Sequence, residues 1–185
     1  NLNAATVGID VTAGTTATLD TAFTFSAAGN ALQKNDLGTL SITANNSTRT
    51  GTTTIVSGVV QIDNVNALGS GQINVAAPGT NTSQGGGALW LTNNINLASP
   101  INLATGGGNG FGINNTGAVF SASGNNTLSG SITNTSGVGL ILGAASGATL
   151  NITAGAMANT NSPTFNAVGT GIINLASYTP NTAAF

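Results

Sequence analysis

The sequence predicts an all-β fold, a single parallel β-solenoid domain that spans residues 1–185. Apolar and polar residues alternate with period two, and no helical periodicity is present. The alternating segments recur about every 20 residues, the spacing expected when short strands stack turn upon turn. The chain also holds 27 glycines, which adopt positive φ at tight corners without steric cost. We therefore expect about eight rungs of roughly 20 residues each.

Each predicted strand contains two apolar residues that face inward, separated by one residue that faces outward. These apolar pairs are Leu40/Ile42, Val60/Ile62, Ile73/Val75, Leu89/Leu91, Ile95/Leu97, Ile101/Leu103, Leu140/Leu142, Leu150/Ile152 and Ile173/Leu175. The many asparagines are expected to occupy corners, as glycine does, or to stack as side-chain amide ladders inside the turns.

One apolar marker per unit gives the period of the coil. The markers are Thr21, Ile42, Ile62, Leu91, Ile113, Ile132, Ile152 and Leu175, separated by 21, 20, 29, 22, 19, 20 and 23 residues. The long interval contains residues 77–87, a Pro- and Gly-containing segment that predicts a loop excursion. The alternative fold is a β-sandwich, which requires strands every 8–12 residues or so, joined by hairpin turns such as Asn-Gly. The sequence contains one Asn-Gly, at Asn109-Gly110.

A near repetition inside the first half of the chain supports the coil. Gly38-Thr39-Leu40-Ser41-Ile42 returns 20 residues later as Gly58-Val59-Val60-Gln61-Ile62. Because the same offset recurs elsewhere along the chain, we interpret the two copies as successive rungs and not as the arms of a hairpin.

The chain carries very little charge, which narrows the classes of function. The side chains that are charged at neutral pH are Asp10, Asp20, Lys34, Asp36, Arg49 and Asp63, 3% of residues against roughly 25% in ordinary domains. Nucleic acid is excluded as a partner, since phosphate binding needs clustered Lys and Arg. Without Cys or His, we expect no disulfide framework, metal site or cofactor. No apolar run approaches the length of about 18 residues that membrane insertion needs.

Enzymatic chemistry has few candidate residues. Asp36 and Asp63, with Lys34 and Arg49 nearby, are the only group resembling the carboxylate clusters of carbohydrate-active enzymes. We interpret these four as isolated surface charges, and predict no catalytic, cofactor-binding or metal-binding residue.

Two residues are candidates for contact with glycans. Trp90 lies between the inward-facing Leu89 and Leu91, so its ring is expected to point outward and to offer a surface for sugar stacking. Asn81 begins an Asn-Thr-Ser sequon inside the predicted loop and is the candidate glycosylation site.

The segment from Leu32 to Val75 carries several short motifs in a fixed order. They are Lys34, Gly38 to Ile42, Asn46 to Thr54, Gly58 to Ile62, and Asn66-Ala67-Leu68-Gly69. This series closely resembles the passenger-associated β-strand repeat of bacterial autotransporters, although Arg49 stands where that family commonly has an aromatic residue. The resemblance implies a right-handed parallel β-helix exported to the bacterial cell surface, where it serves as a stalk, adhesin or extracellular fibre.

Composition and resemblance together predict a non-enzymatic extracellular structural protein. We expect a rigid solenoid acting as a self-associating fibre or filament subunit, or as a stalk segment; the alternative is an adhesin that binds glycan or a host surface through its loops. The expected partners are copies of the chain itself, by head-to-tail stacking or strand donation, because Thr21 to Leu32 and Gly169 to Phe185 are apolar and uncharged. Surface glycans are the second expected partner. The opening residues have no basic region followed by an apolar one, so we expect either that a signal peptide has been removed or that the chain is part of a longer one.

Overall fold

The computed structural model describes residues 5–76, 86–104, 116–134, 141–153, 158–159, 164–167 and 170–176. All the regular structure in these segments is β-strand. The strands are β1 (Thr6–Asp10), β2 (Thr16–Leu19), β3 (Ala31–Asn35), β4 (Thr39–Ile42), β5 (Thr53–Ile55), β6 (Gly58–Ile62), β7 (Ile73–Ala76), β8 (Gly87–Leu91), β9 (Asn96–Leu97), β10 (Ile101–Ala104), β11 (Val119–Ser121), β12 (Asn125–Leu128), β13 (Ile132–Asn134), β14 (Ile141–Ala144), β15 (Thr149–Ile152), β16 (Ala158–Asn159), β17 (Thr164–Ala167) and β18 (Ile172–Leu175).

The strands form three parallel sheets that are the walls of one coil. Sheet 1 has the order β1-β3-β5-β7-β10-β13-β16, sheet 2 has β2-β4-β6-β8-β11-β14-β17, and sheet 3 has β9-β12-β15-β18. Consecutive strands lie in different sheets, and each pairs in parallel with the strand one turn away. The predicted all-β parallel solenoid is confirmed, and the β-sandwich alternative is wrong.

The prediction of eight rungs is wrong, because the turns are not of equal length. Sheet 1 pairs Thr53 with Ile73, an offset of 20 residues, but pairs Ile101 with Ile132, an offset of 31. A third wall, sheet 3, begins at β9, and the offset in the turns that include it varies, since sheet 2 pairs Val119 with Leu142 at an offset of 23. The markers mixed the three walls: Ile62 lies in sheet 2 and Ile152 in sheet 3. The alternating pattern shows that a residue faces the core, but it does not show which of the three sheets the residue belongs to.

Two other elements of the predicted course fall partly beyond the described segments. Of the predicted loop excursion at 77–87, residues 77–85 lie outside them, and Gly87 is already the first residue of β8. The marker Ile113 also lies outside them, and Thr21 belongs to no strand.

The repeated pentapeptide forms successive rungs, as predicted. In sheet 2, Leu40 pairs with Val60 and Ile42 with Ile62, at the predicted offset of 20 residues. Gly58 opens the second copy with a φ of 70°, and a Cβ there would overlap the carbonyl oxygen of Gly38. Glycine is therefore required where the second rung enters the sheet.

A continuous apolar core fills the coil from turn to turn. In sheet 2 one inward column contains Leu40, Val60, Leu89, Val119 and Leu142, each fully buried. Burial of one such side chain stabilises the fold by about 1.5–3 kcal/mol. The core hydrophobics that are only partly buried belong to the first turns and the last: Ile9, Ala17, Leu19, Phe23, Phe25, Ile173 and Leu175.

Candidate functional site

The first turn leaves one end of the core open. A concavity of about 520 Å³ is lined by Val7, Gly8, Ile9, Leu19, Thr21, Ala22, Phe23 and Thr24. Among the described strands, β1 and β2 are the edge strands here, and each pairs with one neighbour. At the opposite end the edge strands are β16, β17 and β18, and the core residues Ile173 and Leu175 on β18 are only partly buried. Within the described segments, strand edges and partly exposed core side chains therefore coincide at both ends, and such edges invite pairing with another chain.

Lys34 lies inside the coil, so its interpretation as a surface charge is wrong. It occupies an inward column of sheet 1 between Ile9 and Ile55, and it is 0% exposed. Its ammonium donates hydrogen bonds to the carbonyl oxygens of Asn35 (2.6 Å), Asp36 (2.7 Å) and Ser57 (3.3 Å). The aliphatic stem packs as an apolar residue would, and the charged end reaches the carbonyls at the corner of the coil. Burial lowers the pKa of Lys34, an effect that the carboxylates of Asp36 and Asp10 partly offset.

The pH dependence of stability tests the burial of Lys34. Because its folded pKa lies below the ordinary 10.5, the unfolded chain binds more protons than the folded protein as the pH approaches 10.5. The free energy of unfolding should therefore rise with pH in that range. We expect this rise to be smaller in Lys34→Met, which keeps an unbranched stem but has no titrating group. Urea unfolding at several pH values between neutral and 10.5 measures both profiles; parallel profiles contradict a buried, desolvated ammonium.

Arg49 is also buried, and the interpretation of it as a surface charge is wrong as well. It is 3% exposed, and its Nη1 donates to Thr53 Oγ1 (2.8 Å) and to the carbonyl oxygen of Leu68 (2.7 Å) in the next turn. Nη2 donates to the carbonyl oxygen of Thr52 (2.5 Å). On the other side, the guanidinium carbon lies 5.2 Å from the ring centroid of Phe25 in the preceding turn. The guanidinium therefore links three successive turns. Burial lowers its pKa to about 10, which leaves it protonated at neutral pH.

Two buried asparagines link turns in a similar way. Asn46 Oδ1 accepts a hydrogen bond from the backbone N–H of Phe23 (3.0 Å), and its Nδ2 donates to the carbonyl oxygen of Ala67 (2.8 Å). Asn126 Oδ1 accepts from the N–H of Ile95 (2.8 Å), and its Nδ2 donates to Ser121 Oγ (2.8 Å). Each amide satisfies backbone groups that the corners of the coil would otherwise leave unpaired.

An asparagine amide ladder lies on the outer face of sheet 3, on the strands β12, β15 and β18 and not inside the turns where ladders were expected. Asn174 Nδ2 donates to Asn151 Oδ1 (2.8 Å), and Asn151 Nδ2 donates to Asn125 Oδ1 (2.5 Å). The predicted use of asparagine at corners is confirmed, since Asn93 and Asn94 adopt positive φ values of 65° and 60°.

Asp36 and Asp63, the two carboxylates considered for catalysis, differ in exposure. Asp36 is exposed, has a φ of 62°, and accepts a hydrogen bond from the N–H of Leu37 (2.8 Å) through Oδ1. Asp63 is partly buried, and its carbonyl oxygen accepts a hydrogen bond from Asn93 Nδ2 (3.3 Å). Within the described segments, no three of the acidic, His or Cys side chains come together as metal ligands do.

Trp90 faces away from the core, since its neighbours Leu89 and Leu91 are fully buried. Its ring is half-buried and packs against Phe120 of the next turn, with centroids 5.5 Å apart and planes inclined at 51°. Its Nε1 is buried and has no hydrogen-bond partner among the residues that the structure describes. A glycan contact therefore stays a prediction, and would use the exposed part of the ring. Asn81 lies outside the described residues.

No protein-family model, curated protein sequence or solved structure matches the chain. The resemblance to autotransporter passengers therefore rests on the motifs between Leu32 and Val75 alone. The part of the chain that the structure describes contains no helix that could cross a lipid bilayer.

Sequence reasoning did not predict the burial of the polar residues Lys34, Asn46 and Arg49, although the sequence contains a signal for Lys34. Lys34 follows Leu32 by two residues, so strict alternation along β3 places both on the inner face. Asn46 and Arg49 lie outside strands, between β4 and β5, where period-two alternation predicts no orientation. Their burial depends on which carbonyls the adjacent turns present.

Proposed function

We propose that this chain is a non-enzymatic structural protein of the bacterial cell surface, a rigid right-handed β-solenoid that self-associates as a fibre subunit or serves as a stalk segment. The observation that carries the proposal is the coincidence of free strand edges with partly exposed core residues at both ends of the coil. A second copy that docks on such an end would continue both the hydrogen-bonded sheets and the apolar core.

Rigidity is supported by the side chains that join one turn to the next. Arg49 and Asn46 each contact the turn before and the turn after their own. Since a solenoid is held together by contacts between neighbouring repeats, links that span three turns resist bending and local opening.

A structural role is also supported by the use of the two cations. A carbohydrate-active enzyme needs accessible acids, bases or cations at the reacting bond. Lys34 and Arg49 are inside the coil and hydrogen-bonded mainly to backbone carbonyls, so neither side chain faces a ligand in solvent.

The right-handed sense of the coil and the extracellular location are supported by separate arguments. Connections between parallel strands of a sheet are right-handed in nearly all proteins, because a right-twisted strand packs back onto its sheet only in that sense. The extracellular location rests on the resemblance to autotransporter passengers, together with a composition nearly free of charge that favours association.

Sedimentation velocity over a range of concentrations, with negative-stain electron microscopy of the same samples, tests the proposed self-association. We expect unbranched rods that lengthen with concentration. Persistent monomers contradict self-association. Monomers that bind a glycan array, and lose that binding in Trp90→Ala, favour the adhesin.

A further inference from the structure

We propose that the chain associates head to tail, with the end formed by β1 and β2 of one copy receiving the end formed by β16, β17 and β18 of a second copy. This inference rests on the proposed self-association and specifies its polarity. The contact is heterologous, so it repeats without closing and produces a filament.

The distribution of charge disfavours contact between two first-turn ends. Asp10 and Asp20 are both exposed on the first turn, whereas no charged side chain follows Asp63. A head-to-head contact would bring four carboxylates to one interface, and like charges brought together oppose association. A head-to-tail contact sets the two carboxylates against an uncharged end.

Coverage of the core disfavours the two symmetric arrangements. A head-to-head dimer leaves Ile173 and Leu175 uncovered, and a tail-to-tail dimer leaves the concavity beside Ile9 and Leu19 open. Only head-to-tail stacking covers both ends of the core in every interior copy. It also continues the parallel pairing of sheets 1 and 2, whereas sheet 3 begins at β9 and has no strand in the first turn.

The register of sheet 2 gives the two ends matching positions. Leu142 pairs with Phe165 and Ala144 with Ala167 at one edge, while Ala17 pairs with Leu40 and Leu19 with Ile42 at the other. β17 and β2 both have four residues. Continuing the register from one copy to the next places Phe165 opposite Ala17 and Ala167 opposite Leu19. The pair of Ala167 and Leu19 then joins a small residue to a large one, which conserves volume across the contact.

Two variants, each blocked at one end, test the polarity. Leu19→Asp places a carboxylate in the first-turn concavity, and Leu175→Asp places one at the last-turn end; each should weaken association at least about 100-fold, because docking would bury an unpaired charge. Thr18→Asp and Asn174→Asp add the same charge at the exposed neighbouring positions and serve as controls. Circular dichroism and thermal unfolding show whether each variant folds.

Each blocked variant alone should sediment as a monomer where the wild type elongates, and an equimolar mixture should stop at a heterodimer. Dimers of Leu175→Asp alone indicate head-to-head contact, and dimers of Leu19→Asp alone indicate tail-to-tail contact; either overturns the polarity while self-association stands. A wild type that stays monomeric overturns the proposed self-association itself.

A compensating pair tests the register and does not depend on introducing charge. Leu19→Ala alone and Ala167→Leu alone should each weaken association about tenfold, while the double variant recovers most of the loss, because residues in contact are energetically coupled. Additive losses in the double variant overturn the proposed register.

Discussion

Replacing Arg49 by alanine should lower the free energy of unfolding by about 3–5 kcal/mol, because the hydrogen bonds of a charged donor are lost and the side chain leaves a cavity. The change deletes the donors to Leu68, Thr52 and Thr53, so the buried carbonyl oxygen of Leu68 loses its Arg49 donor, whereas that of Thr52 still accepts from the N–H of Leu32. It also opens a cavity beside Phe25, in the turn before. Urea unfolding followed by far-ultraviolet circular dichroism measures the loss.

Arg49→Lys is the matched control for this substitution. It keeps the positive charge and much of the stem, but an ammonium cannot donate in the directions of a guanidinium fork. We expect a smaller loss of about 1–3 kcal/mol. An Arg49→Ala protein within about 0.5 kcal/mol of the wild type, the range of ordinary surface changes, would show that the links between turns contribute little.

Replacing Gly51 by alanine should destabilise the coil by more than about 3 kcal/mol, because the new methyl group would overlap backbone. A Cβ at Gly51 would overlap the carbonyl oxygen of Asn30 in the previous turn, and a Cβ at Gly71 would overlap that of Gly51. Asn30, Gly51 and Gly71 thus stack at one corner of three successive turns. Backbone on both sides leaves no flexible side chain that could move aside.

Gly29→Ala is the control for Gly51→Ala. A Cβ at Gly29 has nothing within 4 Å, and its backbone conformation suits an L residue. Alanine there should leave stability unchanged or raise it by up to about 1 kcal/mol, since it restricts the unfolded chain. Thermal unfolding of the two variants beside the wild type compares them. Equal effects at the two positions would contradict the stacked corner.

Much of the fold could be predicted from alternation alone. The inward columns that contain Leu40, Val60 and Leu89 follow from period-two spacing, because a strand buried on one face must alternate. The number of rungs could not be predicted in this way. A third wall adds a strand to a turn without changing the alternation. Alternation therefore assigns Ile132 and Ile152 to two separate rungs, although they lie in different sheets, Ile132 in sheet 1 and Ile152 in sheet 3.

The polar interior could be predicted only in part. The position of Lys34 follows from the alternation in β3, yet an isolated charge is more often placed on the surface because burial costs solvation. The ammonium donates hydrogen bonds to the carbonyl oxygens of Asn35, Asp36 and Ser57, and these hydrogen bonds offset the cost of burial. The carbonyl of Ser57 belongs to the following turn, so the arrangement depends on the stacking itself and cannot be read from local sequence.

Cryo-electron microscopy of wild-type filaments tests the proposed end-to-end solenoid most directly. The two longer sheets have seven strands each, so a spacing of about 4.8 Å gives an axial rise of about 34 Å per subunit. We expect strands perpendicular to the filament axis, with rung spacing that continues across the boundary between copies. Filaments whose rungs are interrupted at that boundary, or whose subunits alternate in direction, would contradict it.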